Sequence, residues 1–195
     1  MIETPHGPAR VHVHTAEDPK GALLLGHGAG GGVHAPDLQA VTQAAVADGV
    51  TVVLVEQPYR VAGRRSPAPA HHLDAAWLAV VEALDLGLPL VTGGRSSGAR
   101  VACRTAAASG AVGVLCLAFP LQPPRDRPDR QPELDAVAVP VLVVQGRNDR
   151  FGIPAPAARR EVFVVDGDHG LKKELPKVAA EVTRWLAGVL ASAPR

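Results

Sequence analysis

The sequence has few aromatic residues, two cysteines and no long hydrophobic segment. Phe, Trp and Tyr make up 3% of the 195 residues, so the core must be built mainly from Val, Leu and Ala. The longest apolar run, AVGVLCLAF, is far too short to cross a bilayer. The segment MIETPHGPAR lacks the apolar stretch of a secretory signal. We therefore expect a cytoplasmic protein that is not bound to a membrane.

The cysteines and the charge balance exclude further classes of protein. Cys103 and Cys116 both stand among apolar residues, which favours reduced, buried thiols over a disulfide framework. The net charge of +1 gives no general reason to expect binding to nucleic acid. Hydrophobic residues make up 47% of the chain, as in ordinary globular proteins. The length suits one domain with a single core, which we expect to span residues 1–195.

Short hydrophobic segments alternate with helical patterns along the chain. The first segment, 9–14, alternates like a strand at the edge of a sheet. Continuous Val- and Leu-rich runs, typical of strands buried on both faces of a parallel sheet, follow at 22–26, 50–56, 88–93, 112–119, 139–146 and 161–166. Helices are predicted at 37–47, 73–85, 99–109 and about 174–190. This order predicts an α/β fold with a mostly parallel, doubly wound sheet of about six or seven strands.

The segment GGRSSG, residues 93–98, lies where a predicted strand turns into a predicted helix. Gly94, Ser96 and Gly98 fit the pattern G-x-S-x-G. A serine on such a tight corner exposes its hydroxyl, and neighbours without a Cβ atom let the strand and the helix pack around it. The helix N-terminus behind the serine stabilises developing negative charge. By itself the motif is weak evidence, because Gly/Ser-rich turns match it by chance.

A nucleophilic serine needs a base, and the base needs an acid that orients it. Asp149 and His169 each follow a predicted buried strand, so both should lie at the same edge of the sheet as Ser96. Asp166 and Asp168 are nearer to His169 in sequence, and we interpret them as turn and helix-cap residues. The chain order Ser, Asp, His is the order that a serine on a strand-to-helix corner uses. We therefore predict Ser96 as the nucleophile, Asp149 as the acid and His169 as the base.

The glycine-rich segment LLLGHGAGGG, residues 23–32, follows the first buried strand. In this arrangement a backbone N–H of that loop lies opposite the nucleophile. The N–H groups of Ala29 and Ser97 are therefore predicted to form an oxyanion hole for the substrate carbonyl oxygen. His27 is interpreted as a structural histidine of the loop and not as a second base.

Five segments spread over nearly the whole chain carry a family resemblance: GHGAGGG, EQPYRVAGRR, GGRSSG, QGRNDRFG and DGDHGL. On these the chain resembles the small, lidless α/β-hydrolases related to dienelactone hydrolases and carboxylesterases. Within them it is most similar to the hydrolase-fold family that includes a regulatory subunit of the NSL histone-acetyltransferase complex and its small bacterial relatives. The resemblance implies Ser96 as nucleophile, Asp149 as acid and His169 as base, in an α/β-hydrolase fold without a cap domain.

The expected activity is that of a serine hydrolase that cleaves a small ester or thioester through an acyl-enzyme intermediate, without a metal or organic cofactor. Esters are favoured over peptides because the sequence has no recognisable extended cleft. Some members of the resembled family serve as scaffold subunits, so a catalytically silent interaction protein with the same fold is the alternative.

A dinucleotide-binding protein is a further alternative. Gly26–Gly31 also satisfies the pattern G-x-G-x-x-G, and Glu56 ends the next strand, where a ribose-binding acid belongs. However, Pro36 indicates that the helix starts only there, too late for the third glycine to open it. A metal site is disfavoured as well, because no carboxylate or cysteine stands at ligand spacing from the pairs His12/His14 and His71/His72.

Arginines are concentrated around the predicted site. Two Pro/Arg-rich connections, 57–72 and 120–135, follow the carboxyl ends of strands. These connections, and the residues beside the serine and the acid, carry Arg60, Arg64, Arg65, Arg95, Arg125, Arg127, Arg130, Arg147 and Arg150. Solubility alone would explain such a pattern. The sharper hypothesis is a basic rim, formed by Arg60, Arg64, Arg65 and Arg95, that attracts a small substrate bearing a carboxylate or phosphate.

Overall fold

A computed structural model of the chain describes residues 1–123 and 128–193, which contain one seven-stranded sheet. The strands are β1 (Arg10–His14), β2 (Gly21–Gly26), β3 (Val50–Glu56), β4 (Leu90–Arg95), β5 (Gly113–Leu117), β6 (Val141–Gly146) and β7 (Arg160–Val165). Their spatial order is β1-β3-β2-β4-β5-β6-β7. The edge strand β1 runs antiparallel to β3, and the other neighbours are parallel. The predicted mostly parallel α/β sheet is therefore confirmed.

Helices cover both faces of the sheet. They are α1 (Pro36–Ala47), α2 (Pro58–Val61), α3 (Ala70–Leu84), α4 (Ser97–Thr105), α5 (Gln131–Asp135) and α6 (Leu175–Ala191). The buried side chains of α1 and α6 share one apolar cluster, and those of α3, α4 and α5 form two clusters on the opposite face. No helix in the described part of the chain is long and apolar enough to cross a membrane.

The two Pro/Arg-rich connections contain short helices that the sequence does not predict. Both α2 and α5 have a proline in the first turn, where its fixed φ suits a helix and its missing N–H costs nothing. The first of these connections is also shorter than predicted, because α3 begins at Ala70 and not at residue 73. At the other end of the sheet, α4 ends at Thr105 and not at 109, since tight turns lead to Gly110 with a φ of +67°.

Buried strands and a few large side chains form the core. Every residue of β2, β5 and β6 is buried, as expected for central strands of a sheet covered on both faces. Trp77 and Phe119 are the largest of the fully buried side chains, so two of the few aromatic residues lie in the core. Cys103 and Cys116 are buried and unlinked, with their Sγ atoms 3.5 Å apart, as predicted for packed thiols.

The order of the strands creates a crevice at one edge of the sheet. From β2 the chain crosses to β3 on one side, whereas β4 lies on the other side of β2. The segments that leave the carboxyl ends of β2 and β4 therefore diverge, and open α/β sheets bind their ligands at such a switch point. The glycine-rich loop 27–35 leaves β2, and the corner at Ser96 leaves β4. The loops after β6 and β7 reach the same edge.

Candidate active site

Ser96 occupies the corner between β4 and α4 in a strained backbone conformation. Its φ of 52° and ψ of −105° lie outside the regions that a residue with a side chain favours, at a cost of about 1–3 kcal/mol. Two hydrogen bonds hold the corner: the Ser96 N–H donates to the Leu117 carbonyl at 2.9 Å, and the Arg100 N–H donates to the Ser96 carbonyl at 3.3 Å. The strained turn leaves the serine partly exposed.

Two glycines let the corner pack against β2. A Cβ atom at Gly98 would lie 2.5 Å from the Gly26 carbonyl carbon, and one at Gly94 would lie 2.5 Å from the Gly26 oxygen. Both partners are backbone atoms and cannot rotate away. The glycines of the G-x-S-x-G pattern are thus required by the close approach of the corner to β2.

The structure brings together the three residues predicted as nucleophile, base and acid. The distance from His169 Nε2 to Ser96 Oγ is 3.0 Å, and that from His169 Nδ1 to Asp149 Oδ2 is 2.8 Å. A neutral imidazole satisfies both contacts when Nδ1–H donates to the carboxylate and Nε2 accepts from the hydroxyl. The Asp149 side chain is fully buried, whereas 20% of the His169 side chain is exposed. This arrangement can remove a proton from the serine as it attacks.

A buried glutamine completes the surroundings of the acid. Gln145 Nε2 donates to Asp149 Oδ2 at 2.8 Å, and the Phe151 N–H donates to Asp149 Oδ1 at 2.9 Å. Gln145 Nε2 also faces the carbonyls of Phe119 and Gly152, and three acceptors around it fix which end of the amide is nitrogen. The sequence interpretation missed Gln145. Its signal is a polar residue inside the apolar run VPVLVVQG.

The loop that carries His169 is packed from two sides. The Phe151 ring meets the His169 ring edge-on, with 4.6 Å between the ring centroids, and the Arg150 guanidinium lies 4.9 Å from the Phe151 centroid. Leu171, two residues after the histidine, is fully buried in the core. These contacts restrict the orientation of the imidazole.

The two acidic residues nearest to His169 in sequence have other partners. Asp168 Oδ1 accepts the Gly170 N–H at 2.8 Å within the turn. Asp166 Oδ1 lies 3.2 Å from Arg147 Nε in an exposed ion pair. The Asp168 contact agrees with the turn role inferred from the sequence, whereas the inferred helix-cap role is wrong, because α6 begins after Glu174 and no side chain caps it. Asp149 is the carboxylate bonded to the imidazole.

His27 and Tyr59 hold the glycine-rich loop beside the nucleophile. His27 Nδ1 lies 2.9 Å from the Gly28 carbonyl, and the Gln57 N–H donates to His27 Nε2 at 3.1 Å, so Nδ1 carries the proton. The Tyr59 hydroxyl donates to the Ala29 carbonyl at 3.1 Å. In a trans peptide the C=O and N–H groups point in opposite directions, so the bond to the Gly28 carbonyl also fixes the direction of the Ala29 N–H.

Two backbone donors are available at the predicted oxyanion hole. Within residues 1–123 and 128–193, the Ala29 N–H has no acceptor. Ser97 is the first residue of α4, so its N–H has no partner inside the helix. The loop lies close to the nucleophile, because a Cβ atom at Gly28 would be 3.6 Å from Ser96 Cβ. Both predicted donors therefore border the serine corner.

The buried state of His27 predicts a pH-dependent stability. Burial lowers the pKa of His27 below its ordinary value of 6.5, and the hydrogen bond to Gly28 opposes this only in part. Between the lowered pKa and about 6.5 the unfolded chain binds a proton that the folded chain does not, so the free energy of unfolding should fall as the pH falls. Urea unfolding between about pH 5 and pH 7 measures this loss. His27→Asn should show a smaller loss, because it removes the titrating group.

His14 offers a matched control, since it lies on the edge strand and its side chain forms no hydrogen bond, ion pair or ring contact among the described residues. His14→Asn should keep the pH dependence of the wild type. If the free energy of unfolding fell with pH as steeply in His27→Asn as in the wild type, His27 would not be the group responsible for the loss of stability.

The four arginines predicted to form a basic rim do not share one environment. Arg64 and Arg65 are exposed and Arg60 is partly buried, all on or after α2. Arg64 lines a cavity of about 550 Å³ together with Tyr59, His6 and His72. Arg95, in contrast, is 17% exposed and pairs with Asp37. Two other arginines of the predicted rim region, Arg125 and Arg127, lie outside the described residues.

Two features of the structure concern the alternative dinucleotide-binding and metal sites. The helix α1 begins at Pro36, five residues after Gly31, so the third glycine of the dinucleotide pattern does not open a helix. Among the described residues, no group of three or more His, Cys, Asp or Glu side chains is arranged to hold a metal ion.

Comparisons with known proteins add the family and the fold. A family model described as "Alpha/beta hydrolase domain" matches residues 19–185, which is most of the chain. No curated protein sequence matches the chain.

Three similar solved structures, each covering nearly all of this chain, share the fold. A serine hydrolase without a lid from Xanthomonas campestris has a TM-score of 0.80 and 21% identity, over 99% of this chain and 94% of that one. Est1E from Butyrivibrio proteoclasticus, with ferulic acid bound, has a TM-score of 0.76 and 16% identity, over 94% and 96%. Dienelactone hydrolase from Anabaena variabilis has a TM-score of 0.77 and 14% identity, over 96% and 94%. At these identities the similarity establishes the fold alone.

Proposed function

Because the chain belongs to the α/β-hydrolase domain family, we propose that it is a serine hydrolase that cleaves a small ester or thioester. The observation that supports this most directly is the pair of side-chain hydrogen bonds that link Asp149 to His169 and His169 to Ser96. A serine is held in a strained corner, a base lies within hydrogen-bond distance of its hydroxyl, and a buried acid orients that base. The available N–H groups of Ala29 and Ser97 add a second, independent feature that acyl transfer needs.

The proposed reaction has two steps. His169 Nε2 takes the proton of Ser96 Oγ while the oxygen attacks the carbonyl carbon of the substrate. Asp149 stabilises the imidazolium, and the Ala29 and Ser97 N–H groups bind the oxyanion of the tetrahedral intermediate. His169 then donates its proton to the leaving group, and an acyl-enzyme remains. Water, activated by the same imidazole, releases the acid and restores the serine.

The surroundings of the corner favour a small, accessible substrate. Cβ atoms at Gly30 and Gly31 would meet nothing within 4 Å, so the glycine-rich loop borders open space. Between β5 and β6 the described part of the chain contains one helix, α5, of five residues, which is too small to form a cap domain. The exposed Arg64 and Arg65 support the proposal that the substrate bears a carboxylate or phosphate.

The proposal is tested by labelling the purified protein with a fluorophosphonate and mapping the adduct by peptide mass spectrometry. We expect one adduct, on Ser96, which Ser96→Ala and His169→Ala abolish. Ser97→Ala is the matched control: it removes a neighbouring hydroxyl but keeps the backbone N–H, so labelling should persist. A folded wild-type protein that forms no adduct would overturn the proposal and favour a catalytically silent interaction protein.

A further inference from the structure

Arg95 contacts three separate parts of the candidate site. Its Nε lies 3.0 Å from Asp37 Oδ2 at the start of α1. Its Nη2 donates to the main-chain carbonyl of His169 at 2.7 Å. Its Nη1 packs on the glycine-rich loop, where a Cβ atom at Gly28 would approach it to 3.0 Å. Arg95 also directly precedes Ser96, so one guanidinium lies between the nucleophile corner, the glycine-rich loop and the base.

Asp37, the partner of Arg95, is an acidic residue buried inside the protein. The residue is fully buried, and its Oδ1 accepts the Leu38 N–H at 3.0 Å. Burial raises the pKa of Asp37, and the neighbouring Arg95 opposes that shift. A buried carboxylate is costly unless it is paired, and an ion pair of this kind is weak evidence for stability by itself. The pair does, however, place the guanidinium beside the His169 carbonyl, to which Nη2 donates.

We propose that the Asp37–Arg95 pair is a positioning device that holds the catalytic base against the nucleophile. Asp37 anchors the guanidinium, and the guanidinium holds His169 by its own carbonyl oxygen. This inference rests on the proposed function, since it assigns Arg95 and Asp37 a role in the same reaction. It also gives Arg95 a task distinct from binding an anionic substrate.

The other contacts of the His169 loop are made by its neighbours or by the imidazole ring. The Asn148 N–H donates to the Gly167 carbonyl at 2.9 Å, and the Leu171 side chain is buried in the core. Neither of these contacts involves the main chain of His169. The Arg95 hydrogen bond is the one main-chain hydrogen bond between His169 and β4 in the described structure. Loss of this contact lets the imidazole shift relative to Ser96 Oγ, and a shift of about 1 Å can slow catalysis about 10²-fold.

The experiment compares Arg95→Met with the double variant Arg95→Met/Asp37→Leu. The single variant leaves Asp37 buried without its partner, so both stability and activity should fall. The double variant removes both charges at similar side-chain volume, and such replacements often restore stability. If the pair positions the base, the double variant should regain the urea midpoint of the wild type while its rate of fluorophosphonate labelling stays about 10²-fold lower. The labelling rate of Arg95→Lys should lie between those of the wild type and the double variant, because a single ammonium group replaces a guanidinium that reaches two partners.

A second readout does not depend on turnover. The His169 Nδ1 proton, hydrogen-bonded to Asp149, should give a downfield proton resonance in NMR that is missing in His169→Ala. We expect this resonance to shift or broaden in the double variant. The control is Arg104→Met, on the same helix as the corner. It breaks the ion pairs of Arg104 with Asp74 of α3 and Glu133 of α5, and Arg104 forms no hydrogen bond with the His169 loop in the described structure. Its labelling rate should stay within about twofold of the wild type.

The outcomes separate the two proposals. If the wild type is not labelled, the proposed function fails. If the wild type is labelled and the double variant regains both its stability and its labelling rate, the function stands and the pair is merely structural. An unchanged His169 resonance in the double variant would likewise overturn the positioning role.

Discussion

Asp149→Asn should lower kcat for ester hydrolysis about 10⁴-fold while the protein stays folded. Three donors converge on the Asp149 carboxylate: Gln145 Nε2 and His169 Nδ1 on one oxygen, and the Phe151 N–H on the other. An asparagine must place its NH₂ group against one of these donors. If it faces His169, Nδ1 becomes the acceptor and Nε2 carries the proton, which prevents Nε2 from taking the Ser96 proton. Hydrolysis of p-nitrophenyl acetate, with circular dichroism as the check on folding, measures the effect.

The nearby acids provide the matched controls. Asp168→Asn and Asp166→Asn remove a carboxylate from the same loop as His169, but Asp168 bonds to the Gly170 N–H and Asp166 pairs with the exposed Arg147. Each should change kcat by no more than about tenfold. A large loss in Asp168→Asn together with a small loss in Asp149→Asn would transfer the acid role to Asp168.

The meeting of Ser96, Asp149 and His169 could be predicted because each follows the carboxyl end of a strand, although β7, which precedes His169, is a partly exposed edge strand and not the buried strand that the sequence predicts. Parallel strands bring their carboxyl ends to one edge, so the loops after β4, β6 and β7 had to meet there. The same principle predicted the glycine-rich loop after β2. The resemblance to lidless α/β-hydrolases is confirmed by the family match and by the fold, whereas the narrower similarity to the NSL-subunit family stays a prediction.

The support around these residues could not be predicted in the same way. Asp37 follows a proline at a helix start, where an acid is common for reasons of the helix dipole alone. Its pairing with Arg95 depends on how α1 packs beside β4, which no local pattern encodes. Arg95 was therefore interpreted with the exposed arginines of the rim, although its guanidinium bonds inside the protein. Gln145 lies in a buried strand, and its contact with Asp149 depends on the turn that follows.

Gly98→Ala should destabilise the protein by about 3 kcal/mol or more. In a helix, alanine is normally favoured over glycine by about 1 kcal/mol, and the φ of Gly98 poses no obstacle to a side chain. The opposite sign is expected because the new Cβ would overlap the backbone of Gly26. Relief requires α4 to move away from β2, which separates Ser96 from the glycine-rich loop. Both the urea midpoint and the fluorophosphonate labelling rate should therefore fall.

The chain supplies a control with the opposite expected sign. Gly188 lies within α6, is exposed, and a Cβ atom there would meet nothing within 4 Å. Gly188→Ala should therefore stabilise the protein by about 0.5–1 kcal/mol and leave labelling unchanged. If Gly98→Ala were also neutral or stabilising, α4 and β2 would be able to separate at little cost. The strain at Ser96 would then be held by its hydrogen bonds to Leu117 and Arg100 alone, and not by the packing of glycine against glycine.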